Sequence, residues 1–478
     1  MTDVGLIIPE ITLLSLASCV LLVDVFRSKA SNAVTFWAAV VTLLVVLSQF
    51  ALYFPNGSAI AFFGTAKIDP MGTVLKALTL VLVLLSFFYA RDYFNKKSIQ
   101  ASEFFILALF ATIGMLVLIS ANSLLVVYLG LELLSLSLYS MVAMNRASAE
   151  SAEAAMKYFI LGALASGMLL YGISMLYGVS GTLQLDELLA GSEVVGQERL
   201  LLIFGVVFVI VGIAFKLGVV PFHMWLPDVY QGASTPVTLF LGTAPKIAAF
   251  AMAIRILADG LQGVSEQWAG MLIILAVLSM SVGNIVAIAQ TNMKRMLAYS
   301  TIAHMGFLLL GILAANNSGY AASMFYVIVY TVMSMGAFGV VILLSQANNE
   351  SDRIIDFSGL ATRSPWFGFI MLVIMFSMAG VPPFAGFWAK WYVLKEVVAA
   401  GYVWLAGLAV LFSIIGAYYY LHVVKIMYFD DATENDAPEA SEDMKLVLSV
   451  NGLAIVLLGL LPGALMSICV IVTIQYSG

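Results

Sequence analysis

Long apolar runs fill this chain, separated by short polar stretches. Runs of about 20 apolar residues match the length at which a helix crosses the hydrocarbon layer of a bilayer. Inside that layer a lone segment has to be helical, because only a helix bonds all of its own backbone groups. Fourteen spans are expected, at about 6–25, 33–54, 71–90, 103–119, 123–143, 156–177, 200–220, 238–258, 269–290, 298–314, 319–345, 366–394, 403–428 and 446–471. The longest connections are 178–199 and 429–445, the second holding seven carboxylates from Asp430 to Asp443. A charge run of that kind reads as a solvated loop.

Composition agrees with the pattern: 62% of the 478 residues are hydrophobic, 10% are charged, and mean hydropathy is +1.05. The fold class expected is an all-α polytopic membrane protein. The net charge of −6 gives no reason to expect a nucleic-acid partner. Cys19 and Cys469 stand alone in the first and last spans, so no zinc or iron–sulfur site is expected. The sequence has no phosphate-binding glycine loop ahead of a helix. Any nucleotide or redox cofactor is therefore expected on another chain. Asp3 and Glu10 stand where a cleavable signal would carry basic residues.

Against this background the charges inside the apolar runs stand out. Glu132 sits mid-span in LLVVYLGLELLSLSLYS, where its short stem cannot reach the surface. Lys216 precedes Pro221, which cannot bond the carbonyl of Leu217 and should break the helix. Lys246 directly follows Pro245, which frees the carbonyl of Leu241 in the same way. Lys390 follows Pro382 and Pro383 and stays buried only if the span is broken there and continues. A charge at membrane depth is costly, and usually marks an ion pathway or a buried partner. His304, His422 and Lys157 are further candidates. The plain alternatives are a structural ion pair at Glu132, lysines reaching the surface at 216 and 157, and a carbonyl-capped lysine at 246.

These rare polar residues also suggest a repeat. Glu132 and His304, Lys216 and Lys390, and Lys246 and His422 each lie five spans apart. An odd offset turns the second copy upside down, the architecture of many transporters. The expected division is an N-terminal three-helix segment (1–100), a first repeat of spans 4–8 (101–262), a second, inverted repeat of spans 9–13 (263–430), and an acidic loop with a C-terminal helix (431–478). Spans 7 and 12 are the expected broken helices. Basic residues concentrate in the odd-numbered loops, among them Arg27, Lys29, Lys97, Arg146, Lys294 and Arg353, which puts those loops in the cytoplasm and both termini outside.

The run KLGVVPFHMWLPDVYQGASTPVTLFLGTAPKIAAF, residues 216–250, resembles the antiporter-like subunits of proton-pumping NADH:quinone oxidoreductase, respiratory complex I. QTNMKRMLAYSTIAHMG (290–306) and GVPPFAGFWAKWYVLKEV (380–397) resemble the same family. The wording is most similar to the N-type members, with Ser234 standing where the family commonly has proline. The resemblance implies that Glu132, Lys216, Lys246, Lys390 and His304 form a hydrated polar axis that carries protons. It also implies no redox cofactor on this chain, with FMN, iron–sulfur clusters and quinone on other subunits. The implied partners are M-type and K-type neighbours in the lipid of a bacterial inner membrane. A subunit of a multi-subunit sodium/proton antiporter and a purely structural membrane-arm subunit are the competing expectations.

Overall fold

The computed structural model describes residues 3–26, 32–55, 57–97, 99, 101–189, 196–346, 350–432 and 438–476. Arg27, Lys29 and part of the acidic loop lie outside this set. Thirteen helical stretches among the described residues are long and apolar enough to cross a membrane. They comprise α1 (Ile8–Phe26), α2 (Asn32–Leu52), α3 (Pro70–Lys96), α4 (Ser102–Ser120), α5 (Leu124–Val142), α6 (Ala149–Ser180) and α7 (Gln197–Leu217). After the short α8 (Trp225–Gly232) come α9 (Thr235–Gly242) and α10 (Ala244–Ile254), which a π-helical turn, Arg255–Gly260, extends as one span. The rest are α11 (Ser265–Ile288), α12 (Met293–Ile312), α13 (Asn317–Leu344), α17 (Val403–Phe429) and α18 (Glu442–Leu460).

The twelfth expected span, 366–394, is interrupted. After the single turn α14 (Leu360–Arg363), α15 (Pro365–Ala379) stops, and α16 (Ala385–Ala399) begins beyond the proline pair. Span 7 is interrupted in the same manner between α7 and α8. The last span differs from expectation: α18 ends at Leu460, and Pro462, with no N–H to continue the ladder, starts a separate helix, α19 (Pro462–Tyr476).

The α9–α10 span and α13 are buried almost all round and form the centre, with α12 beside them. Helices α1, α6, α17 and α18 are mostly exposed and present Leu22, Val23, Ile414 and Leu457 outward, as a lipid-facing shell should. The loops sort onto two faces by parity. On one, Lys97, Lys294 and Glu350 meet; on the other, Lys67 pairs with Asp259 at 3.1 Å and Asn122 donates to Asp186 at 3.1 Å. A small hairpin, β1 (Ala59–Ala61) with β2 (Ala66–Ile68), lies on this second face.

Local patterns recur at one fixed spacing. Leu124 N donates to Leu183 O and Leu185 N to Asn122 O; the same pair of bonds returns where Met293 N donates to Asp352 O and Ile354 N to Thr291 O. Leu124 and Met293, Asn122 and Thr291, and Leu185 and Ile354 all stand at one offset. Gly114 and Gly283 keep that offset too. A Cβ on Gly114 would lie 2.6 Å from the backbone N of Leu134, and one on Gly283 would lie 2.6 Å from that of Ala303. Both helix pairs, α4 with α5 and α11 with α12, therefore need glycine to approach so closely. This register aligns Glu132 with Thr301 and leaves His304 almost one turn further along. Lys216 and Lys390 are not at matching positions either: the first precedes its break and the second follows it.

Candidate functional site

The two broken helices share one way of ending. Helix α7 closes at Gly218 (φ +82°), whose N–H donates to Ala214 O at 2.9 Å while Val219 N donates to the same carbonyl. Helix α15 closes at Gly380 (φ +89°), with Gly380 and Val381 both donating to Phe376 O. The left-handed glycine reverses the chain, and proline follows, as cis Val220–Pro221 and cis Pro382–Pro383. The last carbonyls of each helix are left without a backbone partner.

A buried lysine takes them in both cases. Lys246 Nζ donates to Leu217 O at 2.8 Å and reaches Lys216 O at 3.5 Å. Leu217 O is the carbonyl that Pro221 was expected to free. Lys390 Nζ donates to Ala379 O at 2.9 Å, Met378 O at 3.2 Å and Ser413 Oγ at 2.8 Å. Each ammonium thus sits at the negative end of a helix dipole, where a cation is stabilised. Aromatic faces complete both seats: Lys246 Nζ is 5.7 Å from the Trp225 ring centre and Lys390 Nζ 5.3 Å from that of Phe307.

Lys216, at the end of α7, turns inward and is buried, so it does not reach the surface. Its Nζ donates to Ser135 Oγ at 3.1 Å. Ser135 lies about one turn along α5 from Glu132, whose Oε1 is buried without a hydrogen-bond partner. Ser135, one turn from Glu132, is the direct contact of Lys216.

His304 lies on α12 between two phenols. Its Nδ1 is 2.6 Å from Tyr326 Oη and its Nε2 is 3.1 Å from Tyr420 Oη. Tyr420 Oη is in turn 2.5 Å from Ser300 Oγ, and Thr301 Oγ1 is 2.8 Å from Tyr330 Oη. Phe307, beneath Lys390, stacks on Tyr326. Lys216, Lys246, His304 and Lys390 are therefore buried and Glu132 is partly buried, and hydroxyls of α12, α13 and α17 surround His304.

The remaining two candidates lie apart. His422 is exposed on the outer side of α17, stacked on the equally exposed Tyr418, because Tyr419, Tyr420, Val423 and Val424 occupy the buried side. Lys157 pairs with Asp228 at 2.7 Å and Glu153 at 2.8 Å, and does not meet Glu132. Arg295 also holds Asp228, at 2.7 Å, and these residues with Glu150 and Gln231 line an open cavity of about 220 Å3. Burial raises the Asp228 pKa, but Lys157 and Arg295 outweigh it and leave the carboxyl below its ordinary range.

Ser135, Ser413, Tyr326 and Tyr420 were not singled out from sequence. Their mid-span hydroxyls were a signal, but many others in these helices bond only their own backbone, as Thr112 and Ser120 do. On the second face, fully buried Arg255 donates to Asp69 at 2.5 Å and to Ile119 O at 2.9 Å and reaches Asp259, which with Lys67, Asn122 and Asp186 lines a cavity of about 530 Å3. Among the described residues no group of three or more His, Cys, Asp or Glu is placed to hold a metal ion.

Residues 121–416 match the family described as NADH:quinone oxidoreductase/Mrp antiporter, transmembrane. The chain is 52% identical to NADH-quinone oxidoreductase subunit N of Thiobacillus denitrificans over 97% of its own length and 96% of the relative's. It is 51% identical to the subunit N of Herminiimonas arsenicoxydans, with the same shares covered. A chain of respiratory complex I from Thermus thermophilus with bound aureothin superposes with a TM-score of 0.83 at 32% identity, covering 96% of this chain and 99% of that one. A chain of the Mrp complex from Dietzia superposes equally well, TM-score 0.84, over 97% of each chain, but at 20% identity it shares the fold alone. With its broken helices, its buried lysines and this extent of identity, the chain belongs to the NADH:quinone oxidoreductase/Mrp antiporter membrane family, on the branch of NADH-quinone oxidoreductase subunit N.

Proposed function

We propose that this chain is the proton-translocating membrane-arm subunit of an NADH-quinone oxidoreductase, and that protons cross it along Glu132, Lys216, Lys246, His304 and Lys390. One observation carries the assignment of the path: the carbonyl cap, which at Lys246 alone would be the plain structural alternative, recurs at Lys390, so that two buried lysines each rest on the open carbonyls of a broken helix. Such a seat holds an ammonium without a carboxylate partner, and a small movement of the half-helix changes how well it does so. Lys216 and Lys246 stand close together, so a proton arriving on one disfavours a proton on the other. Glu132, near Ser135 and Lys216, would bias that exchange from the neighbouring helix.

In this reading, spans 4–8 and 9–13 are inverted repeats, within the boundaries 101–262 and 263–430, supported by the backbone patterns that recur at one offset. The N-terminal helices (1–100) and the C-terminal segment (431–478) flank them. The face bearing Lys97, Lys294 and Glu350 is cytoplasmic, both termini are periplasmic, and the membrane is the bacterial inner membrane. Electron transfer from NADH through FMN and iron–sulfur clusters to quinone belongs to other subunits, and M-type and K-type subunits are the neighbours along the arm. Lys157 shapes the cytoplasmic mouth, and His422 lies outside the path. A sodium/proton antiporter subunit is the second reading on grounds of fold; co-purification with flavin and iron–sulfur subunits separates the two.

The assembled complex in proteoliposomes, carrying Lys246→Ala or Glu132→Gln, tests the path. NADH-driven proton uptake is expected to fall severalfold with assembly intact. Full uptake in both variants would remove these residues from the path.

A further inference from the structure

Glu350 holds together a part of the molecule that the proton path does not include. It lies in the connection after α13, on the face that also carries Lys97 and Lys294. Its carboxylate accepts from Thr235 twice, through the backbone N–H at 3.3 Å and through the hydroxyl, and Thr235 is the first residue of α9. Tyr93 Oη donates to it at 2.8 Å and Lys97 Nζ at 3.2 Å, both at the end of α3. Lys294 Nζ, at the start of α12, lies 3.5 Å away and also donates to Ala233 O at 3.0 Å, just ahead of Thr235. Asp352, the other carboxylate nearby, faces Lys294 at 3.8 Å and accepts from Asn292. An anion at a helix N-terminus meets the unpaired N–H groups and the positive end of the dipole. Here one carboxylate closes that end and bolts it to two other helices.

Helix α9 is the first half of the span that carries Lys246. The two halves meet at Thr243, whose backbone (φ −119°, ψ −95°) is not helical. Hydrogen bonds tie the joint to both halves, Thr243 N donating to Phe240 O at 3.2 Å and Lys246 N to Thr243 O at 2.9 Å, so a shift of α9 bears on Lys246 just beyond it. The Lys246 ammonium depends on its placement over Leu217 O.

We propose that Glu350 is a positioning residue for proton transfer, fixing the start of α9 so that Lys246 stays seated on the carbonyls at the end of α7. The proposal rests on the proton path above. The carboxyl is poised for this at neutral pH: burial raises its pKa, but Lys294, Lys97 and the Thr235 and Tyr93 hydrogen bonds bring it down to about 2.

The test uses the whole complex in proteoliposomes, comparing wild type, Glu350→Gln, Thr235→Val and Lys246→Ala for NADH-driven proton uptake across pH. Both clamp variants are expected to lower uptake several-fold near neutral pH. Both should also move the alkaline limb of the pH profile to lower pH by about one unit, the size of one lost charge-assisted hydrogen bond. A tether that merely stabilised the fold would change the yield of intact complex and leave the limb in place. Two results overturn the proposal: an unmoved limb in both clamp variants while Lys246→Ala is inactive, or a moved limb in only one of them. Full activity in Lys246→Ala would instead overturn the proton path itself. Should Glu350→Gln fail to assemble, Thr235→Val carries the same decision from the other side of the contact.

Discussion

At the scale of single residues, an open carbonyl and an ammonium solve each other's problem. Among the described residues, neither Leu217 O nor Ala379 O has a backbone donor, and neither Lys246 nor Lys390 has a carboxylate within ion-pair distance. Removing the lysine therefore leaves a buried acceptor unpaired, at a cost of about 1–3 kcal/mol. Lys246→Met is expected to lower the melting temperature of the purified complex, whereas Lys246→Arg, which still donates, should lower it less. Equal losses in a thermal-shift measurement would contradict the carbonyl seat. The sequence disclosed the prolines and lysines but not their pairing, because the partner carbonyl lies 29 residues away and only the folded chain brings it near. It disclosed His304 but not its phenols, since a tyrosine in an apolar helix gives no sign of which way it points. The outward position of His422 was hidden for a related reason. Helix α17 is apolar all round, so no polar stripe marks its buried side.

At the scale of elements, glycine decides where the breaks can form. Gly380 and Gly401 have the same φ of +89°, but a Cβ at Gly380 would lie 3.0 Å from Lys390 Cδ, while Gly401 opens onto free space. Gly401→Ala is expected to show backbone strain alone, of about 1–3 kcal/mol. Gly380→Ala adds a displaced Lys390 and should also lose proton transport. Comparing melting temperature and NADH-driven uptake for the pair separates the two effects; indistinguishable variants would contradict the assigned role of Lys390. The clamp on α9 makes a prediction on pH. Because the folded Glu350 pKa is depressed to about 2 from the ordinary 4.5, its stabilisation is complete above about pH 4.5 and fades as pH falls toward 2. Hydrogen exchange at residues 350–354 should therefore accelerate, relative to the core of α13, across that window. No such relative change would contradict the ion-pair clamp.

At the scale of the whole molecule, most of the plan was legible from hydropathy. Each of the fourteen apolar runs corresponds to a helix or a broken pair of helices, because a bilayer accepts little else. The last span was drawn too long, since its hydropathy carries on past the stop at Pro462. The proposed repeat was legible only in outline. Side-chain chemistry suggested spacings from Glu132 to His304 and from Lys216 to Lys390, whereas the backbone repeat runs from Gly114 to Gly283 and from Asn122 to Thr291 and aligns neither pair. Function-bearing residues need not keep equivalent places when two halves of a molecule take different parts in one path. The orientation is testable at this scale: single cysteines at 97 and at 67 should react with a membrane-impermeant thiol reagent from opposite sides of inverted and right-side-out vesicles. Labelling of both from one side would contradict the fold's assignment of those loops to two faces.

The central claim is that the buried charges carry protons. It is met most directly by NADH-driven proton pumping in the assembled complex carrying Lys216→Ala, normalised to NADH oxidation and to assembly. A fall in pumping and oxidation together, with the complex intact, is the predicted result and places Lys216 on an obligatory, coupled path. Unchanged rates and an unchanged proton yield per NADH would contradict it and leave this chain a structural part of the membrane arm.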